Sequence, residues 1–367
     1  MIRIILTGAT GTLGSRILFS LMEQRFDSIE RIILPVRKKT AISPERRIQN
    51  MLNSETIPQF ITDNLESIEA KIEVVDASLI LDIEKISDKK IDYFIHSAGY
   101  VNLSTNPSAK AEIFKENFEF SRNIFNAYSN KISKFVYIST AFSSGDVGSI
   151  ITNDFSENHS GNFRNYYEAS KRQTETFLLK AGREKNISIQ ILRPSVLGGN
   201  IAETPNYFIS KYMVFYLFAK FFHNNSSKDA IRIATNEFSG LNIIPTDYAA
   251  NVICKVLSSD IEQLNIVHSK ETNMMMGVSQ VLDVVGFTNF SFTQEQISKA
   301  TGFISKLEEF YYETIGVHLH PYMNSKPSEW DTTLLESILP IPNYNLEDYL
   351  MRTVSFAKNA NFRNQKW

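Results

Sequence analysis

Tyr167 and Lys171 stand four residues apart in Tyr166-Tyr-Glu-Ala-Ser-Lys171, within an apolar-periodic stretch that predicts a helix over 166–184. That spacing puts both side chains on one helix face. A phenol with an ordinary pKa of about 10 exchanges protons poorly at neutral pH. A neighbouring ammonium favours the phenolate, so Lys171 is expected to pull the Tyr167 pKa down toward a working range. Tyr166 has only Ser170 at the same offset, so the lysine selects Tyr167. A third group must align the oxygen that exchanges the proton. Tyr137-Ile-Ser-Thr-Ala-Phe142 closes a predicted strand with two hydroxyls, Ser139 and Thr140.

The second cluster is a turn. Ile2, Ile4, Ile5 and Leu6 read as a short buried strand, and Gly8, Gly11 and Gly14 then lead into an apolar-periodic helix over 12–22. Glycines three apart allow unusual backbone angles and close approach of strand, helix and ligand. Such a turn aims backbone N–H groups and a helix N-terminus at one point, where a pyrophosphate fits. The alternative is a glycine-rich turn that holds nothing.

The elements that must position these groups alternate. Further strands are expected over 31–36, 72–76, 92–98, 135–140 and 187–193, with helices over 44–53, 110–128 and 166–184. Strands that are continuous apolar runs, alternating with helices, predict an α/β fold: a Rossmann-type doubly wound parallel sheet covered on both faces. After Pro194 the rhythm changes. An aromatic segment over 207–222 reads as a buried or ligand-facing helix interrupted by Lys211 and Lys220. Ile243-Ile-Pro-Thr-Asp247 introduces a helix with Thr246 or Asp247 as N-cap, and 264–268 reads as one more strand. Helices dominate from Lys270, with Asp331 expected to cap one of them. Residues 1–200 with about 241–269 are therefore expected to form a nucleotide-binding part, and 201–240 with 270–367 a smaller, mostly helical substrate part.

Composition narrows the function classes. The 367 residues carry a net charge of −2 and are 43% hydrophobic, which gives no general reason to expect nucleic acid or an anionic membrane as partner. Neither a secretory signal nor a transmembrane segment is read, so a cytoplasmic protein is expected, and the sequons at Asn158 and Asn186 carry no information. The single cysteine, Cys254, sits in a helical pattern and reads as a small core residue. His318-Leu-His320 lacks a third ligand in reach, and no metal is expected.

The glycine turn, Ser139-Thr140 after a strand, Tyr167-x-x-x-Lys171 and Arg193-Pro-Ser195 occur in an order that resembles the extended short-chain dehydrogenase/reductases. Within that superfamily, His96-Ser-Ala-Gly-Tyr-Val-Asn102, Ile138-Ser-Thr-Ala-Phe142 and Leu192-Arg-Pro-Ser-Val-Leu-Gly198 are similar to the thioester reductase and fatty acyl-CoA reductase group. The resemblance covers roughly residues 1–200 and, more loosely, 243–247. It implies Thr140 as the hydroxyl that binds a substrate carbonyl oxygen, with Ser139 the lesser candidate. It implies Tyr167 as proton donor and Lys171 as the holder of a nicotinamide ribose. The implied cofactor contacts are Thr7, Gly8, Thr10, Gly11, Thr12, Leu13 and Gly14 in the turn, Ala98 after the fourth strand, and Pro194 and Val196 after the sixth. Asn117 would brace the lysine region, and Asp76 would touch adenine.

Cofactor preference is read from the end of the second strand. An acid there suits the ribose 2′-hydroxyl of NAD. This chain has Pro35-Val-Arg-Lys-Lys39 instead. Arg37 presents a planar fork that matches a 2′-phosphate, and Lys38 and Arg47 add charge, so NADPH (NADP) is the expected cofactor. The expected reaction is reduction of an acyl thioester, on an acyl carrier protein or coenzyme A supplied in trans, to the aldehyde or on to the alcohol. A hydroxy/keto (steroid-like) dehydrogenase or a nucleotide-sugar epimerase of the same superfamily is the rival; Ala141 and Phe142 after Thr140 disfavour a sugar dehydratase.

Overall fold

The computed structural model describes residues 1–39, 41–154 and 161–367, which leaves the sequon at Asn158 outside the described residues. Its centre is a seven-stranded sheet built from β1 (Ile2–Thr7), β2 (Ile29–Val36), β3 (Ile72–Asp76), β4 (Ile91–His96), β5 (Ile132–Ile138), β6 (Ser188–Pro194) and β7 (Gln263–Ile266). The strands run in the order β7-β6-β5-β4-β1-β2-β3, every pair parallel. Strand order reverses between β1 and β4, so their carboxyl ends open a crevice.

The apolar runs of these strands are explained by cover on both faces. In β1, Ile4 and Leu6 join one core with α1 (Thr12–Arg25), while Ile5, between them, joins another with α2 (Tyr166–Lys185). A third cluster forms beyond the sheet from α3 (Phe215–Asn224), α5 (Met274–Val285) and α6 (Leu346–Asn359); α4 (Thr246–Val256) packs with α1 in the first core. Asn186 ends α2 in the left-handed region (φ 54°), a conformation that asparagine tolerates at a helix end.

Several local expectations are corrected. The helix expected over 110–128 is broken by a π-helical turn at Lys115–Glu119, which holds Asn117 in the interior. Such insertions mark sites where one residue is displaced toward a neighbour. The aromatic segment becomes helical only at Phe215. Before that, Tyr207 N–H donates to the Asn200 carbonyl and Tyr212 N–H to Asn364 Oδ1, so its backbone is satisfied outside a helix. Neither Thr246 nor Asp247 caps α4. The Thr246 hydroxyl donates to the Gly198 carbonyl, and the buried Asp247 carboxylate collects the N–H groups of Ile201, Ala202 and Glu203. Asp331 stands two residues before the start of its helix, accepting from Thr333 N–H, and His318 and His320 lie on the helix Val317–Met323.

A buried ion pair ties α2 to β6. Arg193 and Glu175 are both fully buried, joined by Nε to Oε1 at 3.1 Å and by an Nη2 contact at 2.9 Å. Removing Arg193 takes the closer cationic partner from the buried Glu175 carboxylate and leaves Arg172 at 3.5 Å, so Arg193→Met is expected to destabilise the fold by about 3–5 kcal/mol. Denaturant titration of the variant against the wild type measures this.

Candidate active site

The glycine turn brings backbone where side chains would collide. Gly8 has φ +75°, and a Cβ there would lie 2.7 Å from the Ala98 nitrogen. A Cβ on Gly14 would lie 2.1 Å from the Gly8 carbonyl oxygen. Gly11 begins α1 with no side-chain cap and no acid in the first turn, so the first N–H groups of this helix face the crevice without a protein acceptor on a side chain. This cradle fits an anionic group such as a pyrophosphate.

Beneath the turn runs a polar chain that joins Thr7, Ala98 and Asn117 through His96 and Ser121. Thr7 Oγ1 accepts from Ala98 N–H at 3.2 Å and meets His96 Nδ1 at 2.8 Å; His96 Nε2 meets Ser121 Oγ at 3.0 Å. Ser121 donates to the Asn117 carbonyl at 2.6 Å, and Asn117 Nδ2 donates to the Tyr100 carbonyl and to Ser170 Oγ on α2. His96 is fully buried, and burial, then the Lys171 charge, push its pKa down to about 3. A neutral imidazole therefore links the turn to the helix that carries Tyr167 and Lys171.

That helix is fixed at its start. Asn165 accepts from Glu168 N–H at 3.0 Å and donates to the Tyr322 hydroxyl at 2.7 Å. Lys171 is almost completely buried, and its Nζ donates to the Ile138 carbonyl at 2.9 Å, tying α2 to the end of β5. Gly99 leaves room for it, since a Cβ there would lie 3.3 Å from Nζ. Burial pulls the Lys171 ammonium down to about 8, with Glu175 opposing.

The expectation for Tyr167 is reversed. Burial pushes its phenol above the usual range, and the Glu168 charge adds to this. Lys171 is committed to Ile138 and sits 4.6 Å from the Tyr137 ring centroid but 6.0 Å from that of Tyr167, so desolvation outweighs its pull. Tyr167 thus stays protonated, the form that donates. The two hydroxyls at the end of β5 also separate. Ser139 donates to the buried Glu175 carboxylate, as does Ser143 at 2.7 Å. Thr140 Oγ1 accepts from Phe142 N–H at 3.4 Å and keeps its own proton free among the described residues.

These groups meet in one pocket. Of the residues singled out in the sequence, Gly8, Gly11, Thr12, Leu13, Gly14, Thr140, Tyr167, Lys171, Pro194 and Val196 line it, together with Ser139. Thr7, Ala98 and Asn117 belong to the network beneath. Thr10 and Arg47 lie behind the turn: Arg47 is buried, and its guanidinium donates to the Arg37 carbonyl, Thr10 Oγ1 and the Trp367 carbonyl. Its donors are largely spent on these loops. Arg37 and Lys38 are exposed past the end of β2, and Asp76, at the end of β3, turns its carboxylate to Ser78 N–H at 2.8 Å. The sequence reading missed Ser195, Lys211 and Tyr322 in the wall. Only Lys211 left a signal, as a cation interrupting an apolar stretch.

A second, smaller pocket adjoins the first and shares Val214, Leu241 and Tyr322 with it. Its wall is mostly apolar, from Phe215, Phe218, Ile243, Val278, Val281 and Leu350. Cys254 is buried with its thiol pushed up to about 12 by burial. Among the described residues no group of three or more His, Cys, Asp or Glu could hold a metal, and no helix is long and apolar enough to cross a membrane.

A family model described as male sterility protein matches residues 6–253. No curated protein matches the chain. Among solved structures, the terminal R domain from the myxalamid PKS-NRPS biosynthetic pathway is 18% identical, covers 100% of this chain and 93% of its own, and superposes with a TM-score of 0.70. UDP-glucuronic acid 4-epimerase from Bacillus cereus, in complex with NAD, is 16% identical over 98% of this chain and 97% of its own (TM-score 0.63). The dTDP-glucose 4,6-dehydratase DesIV from Streptomyces venezuelae is 15% identical with the same coverage (TM-score 0.64). At these identities the likeness establishes the fold.

The lowered Lys171 pKa has a consequence for stability. Between about pH 8 and the ordinary value of 10.5 the unfolded chain binds a proton here that the folded chain has released. Stability rises with pH wherever the unfolded state holds more protons. The wild type is therefore expected to gain stability over this window relative to Lys171→Met, measured as the difference between their denaturation midpoints at each pH.

Proposed function

The chain belongs to the male sterility protein family, within the extended short-chain dehydrogenases/reductases, and on that premise we propose that it is an NADPH-dependent reductase of acyl thioesters. The observation that carries this reading is the adjacency of two pockets: a polar one holding Thr140, Tyr167 and Lys171 shares Val214, Leu241 and Tyr322 with an apolar one. A carbonyl in the first with a hydrocarbon tail in the second matches an acyl substrate. A nucleotide sugar would bring hydroxyls and charge to walls that offer few partners. The R domain among the similar structures supports delivery by a carrier protein, with coenzyme A as the alternative carrier.

NADPH is supported by the absence of an acid at the end of β2 and by Arg37 and Lys38 there. In the same reading, residues 1–200 with about 241–269 hold the dinucleotide and 201–240 with 270–367 hold the substrate. When bound, the dinucleotide supplies a hydride to the acyl carbonyl carbon. Thr140 hydrogen-bonds the carbonyl oxygen through its free O–H, and Tyr167 gives that oxygen its one proton as charge develops on it. Lys171, fixed by Ile138, holds the ribose side. Collapse of the hemithioacetal releases a thiol and an aldehyde, and the aldehyde can be reduced again to the alcohol.

Tyr167→Phe is expected to abolish thioester-dependent NADPH oxidation while leaving NADPH affinity within about twofold, and Thr140→Val to lower kcat by about 10²–10³. A stopped assay over a panel of acyl-CoA and acyl-carrier thioesters, with products identified by mass, tests the reaction; no NADPH oxidation with any thioester would sink it. Gly277 borders the apolar void, and a Cβ there already lies 3.1 Å from Thr272 Cγ2. Gly277→Val is expected to shift the preferred acyl chain to shorter lengths, read as the ratio of kcat/KM values across the same panel.

A further inference from the structure

Lys211 lines the same pocket as Gly11 and Thr12, which open α1, although it comes from the stretch that walls the substrate side through Ile209, Met213 and Val214. Its backbone is held firmly. The Ser210 carbonyl accepts from Gln365 N–H at 2.9 Å, Tyr212 N–H donates to Asn364 Oδ1 at 2.8 Å, and Ser210 Oγ reaches Thr12 Oγ1 at 3.5 Å. The side chain is partly buried, and the charges near enough to act on it are those of Lys39, Arg47 and Arg37, all of its own sign. Among the described residues none of these four cations is paired with an Asp or Glu side chain. Burial and the three like charges hold the Lys211 ammonium below the ordinary lysine range. Cations gathered around a half-buried ammonium repel one another unless an anion joins them. The uncapped first turn of α1 adds its positive end to the same place.

We propose that Lys211 is a phosphate clamp, reaching from the substrate side of the chain to a phosphate of the bound dinucleotide. The inference rests on the dinucleotide reading above and adds a residue that the second-strand motif does not contain. Arg47, whose donors serve the loops, places its charge without offering a free fork, so Lys211 takes the direct contact. The phosphate is either the pyrophosphate at the turn or the 2′-phosphate beside Arg37, and one experiment distinguishes them.

NADPH and NADH dissociation constants are measured by calorimetry, without acyl substrate, for the wild type, Lys211→Gln, Lys211→Glu and Lys211→Arg. Loss of one charged contact is expected to weaken binding by about 10- to 100-fold in Lys211→Gln, more in Lys211→Glu, and little in Lys211→Arg. Equal weakening of both dinucleotides assigns the contact to the pyrophosphate; weakening of NADPH alone assigns it to the 2′-phosphate. Unchanged constants for both in Lys211→Gln and Lys211→Glu, with wild-type melting temperatures, overturn the proposal. The wild-type measurement by itself tests the parent reading: preference for NADH overturns the NADPH assignment while the variant-to-wild-type ratio on NADH still tests the clamp.

Discussion

A single buried ammonium constrains the site. Lys171 has given up nearly all its water and holds one backbone carbonyl, that of Ile138, in exchange. Such a group is tolerated only if its surroundings are exact in position, because an unpaired buried charge is expensive. The geometry around it follows from that need. Gly99 is small so that the ammonium fits, Glu175 lies one turn along the same helix face, and Ser170 beside it is fixed by Asn117. The sheet end, the helix and the loop after β4 are therefore held in register by one charge.

The polar chain from Thr7 through His96 and Ser121 to Asn117 extends this register to the glycine turn. It joins the two halves of the pocket, the glycine turn and the helix that carries Tyr167 and Lys171, through the interior. The π-helical turn that carries Asn117 gives up regular helix pairing so that this residue can reach both Tyr100 and Ser170. A buried network of this kind is rigid only when every member is satisfied.

Burial also assigns the protonation states. It raises the Tyr167 phenol, lowers Lys171 and keeps His96 neutral, all by the same disfavouring of charge in a dry interior. A protonated tyrosine facing a pocket is arranged to give a proton rather than to take one. Spacing along the helix placed Tyr167 and Lys171 on one face, yet it implied the opposite shift, because sequence distance says nothing of how much water either group retains.

What the sequence determined by itself was whatever depends on local backbone rules and period. The glycine turn, the alternation of apolar strands with helices and the Tyr167–Lys171 face were all legible, since each is set by neighbours within a few residues. The choice between Ser139 and Thr140 was not. Their identical hydroxyls are told apart only by Glu175, thirty-odd residues away in the chain but in contact with Ser139. Likewise the role of Arg47, the late start of α3 at Phe215 and the arrival of Lys211 in the same pocket as Thr12 depend on contacts with residues 364–367, at the far end of the chain. Such contacts pair groups that no periodicity connects, and only the tertiary structure decides them.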